Sequence, residues 1–399
     1  MQRLKSFLAT FHLLLVFCGY ELVTMLFLSP SSGLSTQSIT IPYRGFTVFI
    51  AIVLFAFVRS NRRKVKTYIV PLFLLYWFFF LLRMFYDLHI NPKIDIDNIA
   101  SFWLLVFSLT VMPLIITYKT FRLIRIDKVL WWYFICASLA LLISVLKMED
   151  ASGMVRQSGN TALNPITYAH LALSTILLSI FILSERENSK TLKLLVFLIL
   201  PLAMYCMFLA GSRGPLLSLF IIGAIWYFLR SGKLFGFFLT VLVGLFVMYF
   251  LDEIISLIGQ VSPVLESRFS DTIKDGDSSR RDELSTFAWR AFSDSPIFGK
   301  QFAIFENNNI NYPHNIFLEG FMALGLGGFL LLFVGLSALI KACRFILMRN
   351  KNYWLSLLLL QQLINSLLSG TIYFTPLLSI LILLVLFQED TQKHDVVHT

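Results

Sequence analysis

Residues 315–340, NIFLEGFMALGLGGFLLLFVGLSALI, hold one charged side chain, Glu319, and are followed at once by Lys341. A helix needs about 20 apolar residues to cross the ~30 Å hydrocarbon layer of a bilayer, so this run reads as a membrane span. Similar runs recur from end to end. Of the 399 residues, 57% are hydrophobic and 14% charged, with a mean hydropathy of +0.76, whereas soluble domains carry about 25% charged residues. The fold class is therefore all-α, a polytopic membrane protein with about 12 transmembrane helices. They are expected at 7–29, 41–58, 67–87, 99–118, 129–147, 165–183, 192–210, 215–229, 234–251, 315–340, 353–369 and 371–388.

Lys and Arg collect at alternate exits. Arg59, Arg62, Arg63, Lys64 and Lys66 follow the second span, and Lys119, Arg122, Arg125 and Lys128 the fourth. Arg186, Lys190 and Lys193 follow the sixth, Arg230 and Lys233 the eighth, and Lys341, Arg344, Arg349 and Lys351 the tenth. The positive-inside rule then puts the even exits and both termini in the cytoplasm. The net charge of +10 is thus a topology signal, not a nucleic-acid footprint. Met1–Lys5 and the apolar run from Phe7 lack a small-residue cleavage site, so they read as an uncleaved first span. Cys18, Cys136 and Cys206 lie in apolar runs and Cys343 beside a basic loop, with no CxxC spacing for a metal and no setting for a disulfide. Residues 1–147 form the N-terminal transmembrane helices. Residues 148–399 form a second region, in which a long outward loop at 252–314 precedes the tenth helix.

Loops of that length usually carry function. Within it Leu284, Phe287, Ala288, Ala291 and Phe292 recur at helical spacing, one apolar face with Ser279 near its start. Such a helix is expected on the membrane surface. Basic side chains gather on the outward face: Arg213 in a GSRG turn, Arg280 and Arg281 at the surface helix, and Arg156 in the shorter loop 148–164. A single interfacial arginine ordinarily snorkels to lipid phosphate. Positive charge is disfavoured on this side, however, and several together point to an anionic ligand. Arg83, with Asp87 four residues on, is a local helical pair, and His170 is packing. Pro313 is expected to fix His314 in the first turn of the tenth helix, at the outer mouth, with Gly325 and Gly328 packing deeper in the bilayer.

With an ordinary pKa near 6.5, His314 suits a general base. No second His or Cys stands at zinc-ligand spacing. Arginine's planar fork suits phosphate. One base and several arginines at a lipid boundary fit transfer from a lipid diphosphate. The histidine deprotonates an acceptor hydroxyl, the arginines stabilise the departing diphosphate, and no metal or other cofactor is called for.

Several segments resemble the bacterial O-antigen ligase and O-antigen polymerase superfamily. HNIFLEGFMALGLGG has that group's His, then Asn, Ser or Gln, then nine residues and Gly-x-x-Gly, here His314, Asn315, Gly325 and Gly328. SSRRDELSTFAWRAFSDSPIFGK (278–300) resembles its Arg-led amphipathic helix, which ends in Pro-hydrophobic-Phe-Gly at Pro296–Gly299. GSRG resembles its Ser-Arg turn after the seventh span and, more loosely, RQSGNTALNP its Arg-x-x-Gly loop. The resemblance, over roughly residues 150–390, implies a metal-independent, inverting membrane glycosyltransferase of lipopolysaccharide or other surface-polysaccharide biosynthesis.

The implied donor is an undecaprenyl-diphosphate-linked glycan on the periplasmic face of the inner membrane. The acceptor is a lipid-linked repeat unit for a polymerase, or the lipid A core for a ligase. The implied roles are His314 as base, Arg213 and Arg281 on the diphosphate with Arg156 beside them, and Asn315 and Glu319 in support. Arg281 fits the spacing to Pro296, while Arg280 fits an Arg-x-x-x-Leu pattern through Leu284, so both stay candidates. Five residues set two side chains about 140° apart around a helix, so no direct His314–Glu319 pair is expected. Membrane lipid and a chain-length regulator protein complete the partners, with no nucleic acid. The short stretch from Pro296 to His314, and SITIPYRGF (38–46), resemble polymerases. A transporter or flippase of lipid-linked sugars is the rival of another class, but it would show internal repeats and midplane charges.

Overall fold

The computed structural model describes residues 2–28, 35–58, 68–92, 99–148, 158–160, 162–185, 189–231, 280–306 and 309–388, with isolated positions between 242 and 267. Eight helices match the first eight expected spans: α1 (Gln2–Phe27), α2 (Thr36–Phe57), α3 (Ile69–Ile90), α4 (Phe102–Leu123), α5 (Ile126–Leu146), α6 (Pro165–Ser184), α7 (Lys190–Leu209) and α8 (Arg213–Ser231). The expected ninth span, 234–251, lies outside the described residues apart from Leu242. Beyond it come α9 (Arg281–Asp294), the strands β1 (Ile304–Glu306) and β2 (Asn309–Asn311), α10 (Ile316–Leu324), α11 (Gly328–Leu347), α12 (Trp354–Leu368) and α13 (Pro376–Phe387).

The most buried spanning helix is α6. Its Ala169, Ala172, Ser174, Thr175 and Ser179 let neighbours approach closely. The Ser174, Thr175 and Ser179 hydroxyls return to carbonyls one turn back, so they cost little in lipid. The basic exits share one end of the bundle. Lys119 at the end of α4 donates to the Phe55 carbonyl of α2, Lys341 of α11 donates to the carbonyls of Leu386 in the last turn of α13 and of Gln388 just after it, and Arg230 of α8 lies 5.1 Å from the Tyr353 ring. The alternation in the sequence is thus realised as a common basic end.

The quoted run is not one crossing. α10 and α11 form a hairpin around a tight turn at Gly325–Gly327. A Cβ on Gly328 would lie 2.8 Å from the Gly320 carbonyl carbon, and one on Gly335 would lie 3.1 Å from the Phe317 ring. In a straight helix Phe317 and Gly335 would stand ~27 Å apart. The tip is therefore at Gly325–Gly328, away from the basic end, and α10 starts level with Gly335, ~10 Å down α11. This reverses the expected depths: the glycines mark the rim, and His314 is recessed.

Glycine is obligatory at that rim. Gly325 ends α10 with φ 58° and ψ −127°, and a Cβ there would lie 2.3 Å from the Pro296 carbonyl oxygen. Gly299, at φ 73°, would put its own Cβ 2.2 Å from the Ala323 carbonyl oxygen. The Pro296–Gly299 turn thus lies backbone against backbone on the end of α10, tied by Leu326 N–H to Pro296 O at 2.7 Å and Lys300 N–H to Met322 O at 2.8 Å. α9 runs parallel to α10 and packs on it through Leu284, Ala288 and Ala291, facing Leu318 and Met322. Its Phe292 and Phe321 rings stand 5.5 Å apart. The Arg83–Asp87 pair at 3.1 Å is local, as expected, and it also anchors this region. Asp87 accepts Phe302 N–H at 2.8 Å, and Arg83 approaches the Gly299 carbonyl at 3.5 Å.

α12 and α13 have 15 and 12 residues, or about 22 and 18 Å at ~1.5 Å per residue. The break between them, Ser369–Thr375, is recessed as well. Glu319 of α10 is fully buried and pins it, accepting from Thr371 Oγ1 at 2.7 Å and Ile372 N–H at 3.1 Å.

Candidate active site

The recessed start of α10 and the α12–α13 break enclose a cavity of about 530 Å³. Arg281 from the start of α9, Tyr312 and His314 line one end of it, with Ser369, Gly370 and Thr371. His170 and Ser174 of α6 and Gln362 and Asn365 of α12 line it further in. Tyr20 and Glu21 of α1 and Tyr43 and Arg44 of α2 also line it.

His314 is not in the first turn of α10. The helix begins at Ile316, and Asn315 is its cap, accepting from Phe317 and Leu318 N–H at 3.1 and 3.2 Å. A proline two residues before the cap leaves room for one residue outside the helix, and His314 occupies it at φ 58°. A left-handed backbone costs a non-glycine residue about 1–3 kcal/mol, and such strain concentrates at functional sites. It holds the imidazole edge-on to Tyr312, ring centres 4.6 Å apart. The Ser369 backbone bonds one ring nitrogen, and Nδ1 is buried with no hydrogen-bond partner among the described residues. Burial first, and then the positive charge of Arg281, lower the His314 pKa, while the Ser369 bond opposes them. The ring is thereby kept neutral at physiological pH, as a base must be.

The sequence-derived residues divide clearly. Arg281 shares the cavity with His314. Arg280 turns outward, pairing with Glu283 at 3.3 Å and with Glu306 at 3.1 Å, where it ties α9 to β1. Arg213 opens α8 away from the basic end and is not among the cavity-lining residues. The span of α8 from Arg213 to Arg230, beside Tyr353, brings it to about the depth of Ser369, ~25 Å from the α12 start. Arg156 lies outside the described residues, although its loop continues into Ala162, Leu163 and Asn164, which line the cavity. Glu319 turns to Thr371 and Ile372, not to His314.

His170, expected to be packing, faces the cavity, and its backbone carbonyl accepts from Gln361 at 2.8 Å. Glu21 and Arg44 carry a signal legible in the sequence, since a charge inside an apolar span is functional by default. The absence of an Asp-x-Asp metal motif from the long outward loop, on which the metal-free expectation drew, does not hold: Asp275–Asp277 is such a triplet, as is Asp95–Asp97 upstream, and both lie outside the described residues.

A comparison with curated proteins returns no match. Residues 194–333 match the family model described as O-antigen ligase. The matched stretch contains Arg213, Arg281, His314 and the Gly325–Gly328 turn, and over these residues the chain is similar to the O-antigen ligase family.

Proposed function

We propose that the protein transfers an oligosaccharide from undecaprenyl diphosphate to a hydroxyl of a second glycan, at the periplasmic face of a bacterial inner membrane, with both termini cytoplasmic. The observation that carries this reading is the meeting of Arg281 and His314, from two separate motifs, in one recessed cavity. His314 takes the proton of the acceptor hydroxyl as its oxygen bonds the anomeric carbon. The bond from that carbon to the diphosphate breaks on the opposite face, inverting the centre, and undecaprenyl diphosphate leaves. Arg281, with Arg213 and Arg156 from the neighbouring loops, stabilises the charge that grows on the leaving group. No metal takes part.

The polymerase reading is favoured by the connection from Pro296 to His314, which folds as a small two-stranded hairpin, with Ile304 paired to Asn311. It leaves little lip to receive a bulky core acceptor. The ligase reading draws on the description of the matched family. Deleting the gene and analysing the glycans separates the two. Single repeat units on the lipid A core indicate a polymerase, and long chains retained on undecaprenyl diphosphate indicate a ligase. His314→Ala is expected to abolish transfer at normal expression, and near-normal transfer by that variant would overturn the assignment of the base.

A further inference from the structure

We propose that the part of the cavity lining supplied by α1 and α2, Tyr20, Glu21, Tyr43 and Arg44, is a subsite for the acceptor sugar and takes it as an uncharged, hydroxyl-rich ring. The proposal rests on the glycosyl-transfer reading above. Glu21 and Arg44 lie inside spanning helices and line the cavity, where an ionisable side chain is costly unless it serves a ligand or a pathway. Arg44 hydrogen-bonds the Tyr20 side chain, yet its Nε–H is buried with no partner among the described residues. A buried donor of this kind calls for an oxygen acceptor.

The backbone is irregular on one side of this lining and short of a hydrogen bond on the other. A five-residue π-bulge, Leu15–Gly19, directly precedes Tyr20 and Glu21, and Pro42, which has no N–H to donate, lies inside α2 just before Tyr43. Bulges of this type gather at functional sites. Gly19 admits Tyr43, since a Cβ there would lie 2.8 Å from the tyrosine oxygen, and Tyr43 Oη donates to the Leu15 carbonyl at 2.5 Å. The phenol is thus held in place by the bulge itself.

Charge distinguishes the two groups of residues. Glu21 and Arg44 cancel formally, whereas the charge that acts on His314 is that of Arg281. The diphosphate is drawn to Arg281, and a neutral sugar to the Glu21–Arg44 lining, where a carboxylate accepts from hydroxyls and a guanidinium donates to their oxygens. The cavity, about 530 Å³, falls within the ~300–1,000 Å³ of small-molecule clefts. It suits the reacting sugars rather than a whole lipid-linked glycan.

The test uses the purified full chain in nanodiscs and two probes. One is undecaprenyl diphosphate. The other is the oligosaccharide released by mild acid from the lipid-linked glycan that accumulates in cells lacking this protein. Arg44→Ala, Arg44→Lys and Glu21→Gln should each weaken oligosaccharide binding about tenfold or more and leave undecaprenyl diphosphate binding within about twofold. Arg281→Ala should do the reverse. Unchanged oligosaccharide affinity in the Arg44 and Glu21 variants, or equal loss of both probes, would overturn the subsite. Wild-type protein that binds the lipid but not the oligosaccharide also sinks the subsite alone, whereas failure to bind undecaprenyl diphosphate sinks the transfer reading.

Discussion

Gly325→Ala tests the hairpin that recesses His314. At φ 58° and ψ −127° an alanine is strained, at a cost of about 1–3 kcal/mol. Its Cβ would meet the Pro296 carbonyl oxygen at 2.3 Å and the Ile297 carbonyl at 2.6 Å, so the Pro296–Gly299 turn must retreat by most of an ångström. That retreat removes the 2.7 Å bond from Leu326 N–H to Pro296 O, worth about 1 kcal/mol. Together about 2–4 kcal/mol shifts the docking equilibrium of the turn about 30- to 700-fold. Phe298 is 79% exposed on that turn and is a ready chymotrypsin site once the backbone opens. Cleavage there under native conditions tracks the open population and should rise by the same factor, with transfer falling in parallel. Gly327→Ala is the control, because Gly327 is already helical at φ −60° and a Cβ there would come no closer than 3.0 Å, to Leu324 Cβ. Equal cleavage rates for the two variants would refute the backbone argument.

The pH profile reports the base. Burial and Arg281 lower the His314 pKa, and the neutral ring is the working form, so kcat/KM should fall on the acid side below pH ~6.5. Arg281→Gln removes one of the lowering causes and should move that acid limb upward, and a downward shift would contradict the coupling. Arg281→Lys should lose most transfer, because a point charge does not replace a planar fork, while Arg280→Ala should keep it, since its partners Glu283 and Glu306 are surface groups. Comparable losses in the two variants would reverse the assignment. Chelator treatment should leave transfer unchanged, and loss restored by a divalent metal would bring the Asp95–Asp97 and Asp275–Asp277 triplets into the chemistry.

Hydropathy and the basic exits made the spanning helices legible because lipid admits few alternatives to a self-satisfied helix. The same rule hid the hairpin. A 26-residue apolar run has the length of a crossing, and the fold-back shows only in three dimensions, in the backbone of Gly325 and the approach of Gly335 to Phe317. The meeting of Arg281 with His314 was readable from topology, since both were placed at one end of the bundle. The inward position of Glu21 was not, because the π-bulge just before it shifts the helical register and so which face looks inward.

Because α10 begins at the cavity and runs outward, its N-terminus is buried beside His314. Other helices start there too: Arg281 opens α9, Asn164 and Ile166 mark the start of α6, and Pro376 and Leu377 that of α13, all lining the same space. Each helix start carries roughly half a positive charge from aligned peptide dipoles, felt within about one turn. These starts outnumber the one helix end that lines the cavity, that of α12 at Ser369, so the main chain gives it a net positive potential that no side-chain substitution erases. Losing an arginine costs the leaving diphosphate its grip and alignment, while the field that favours its charge persists.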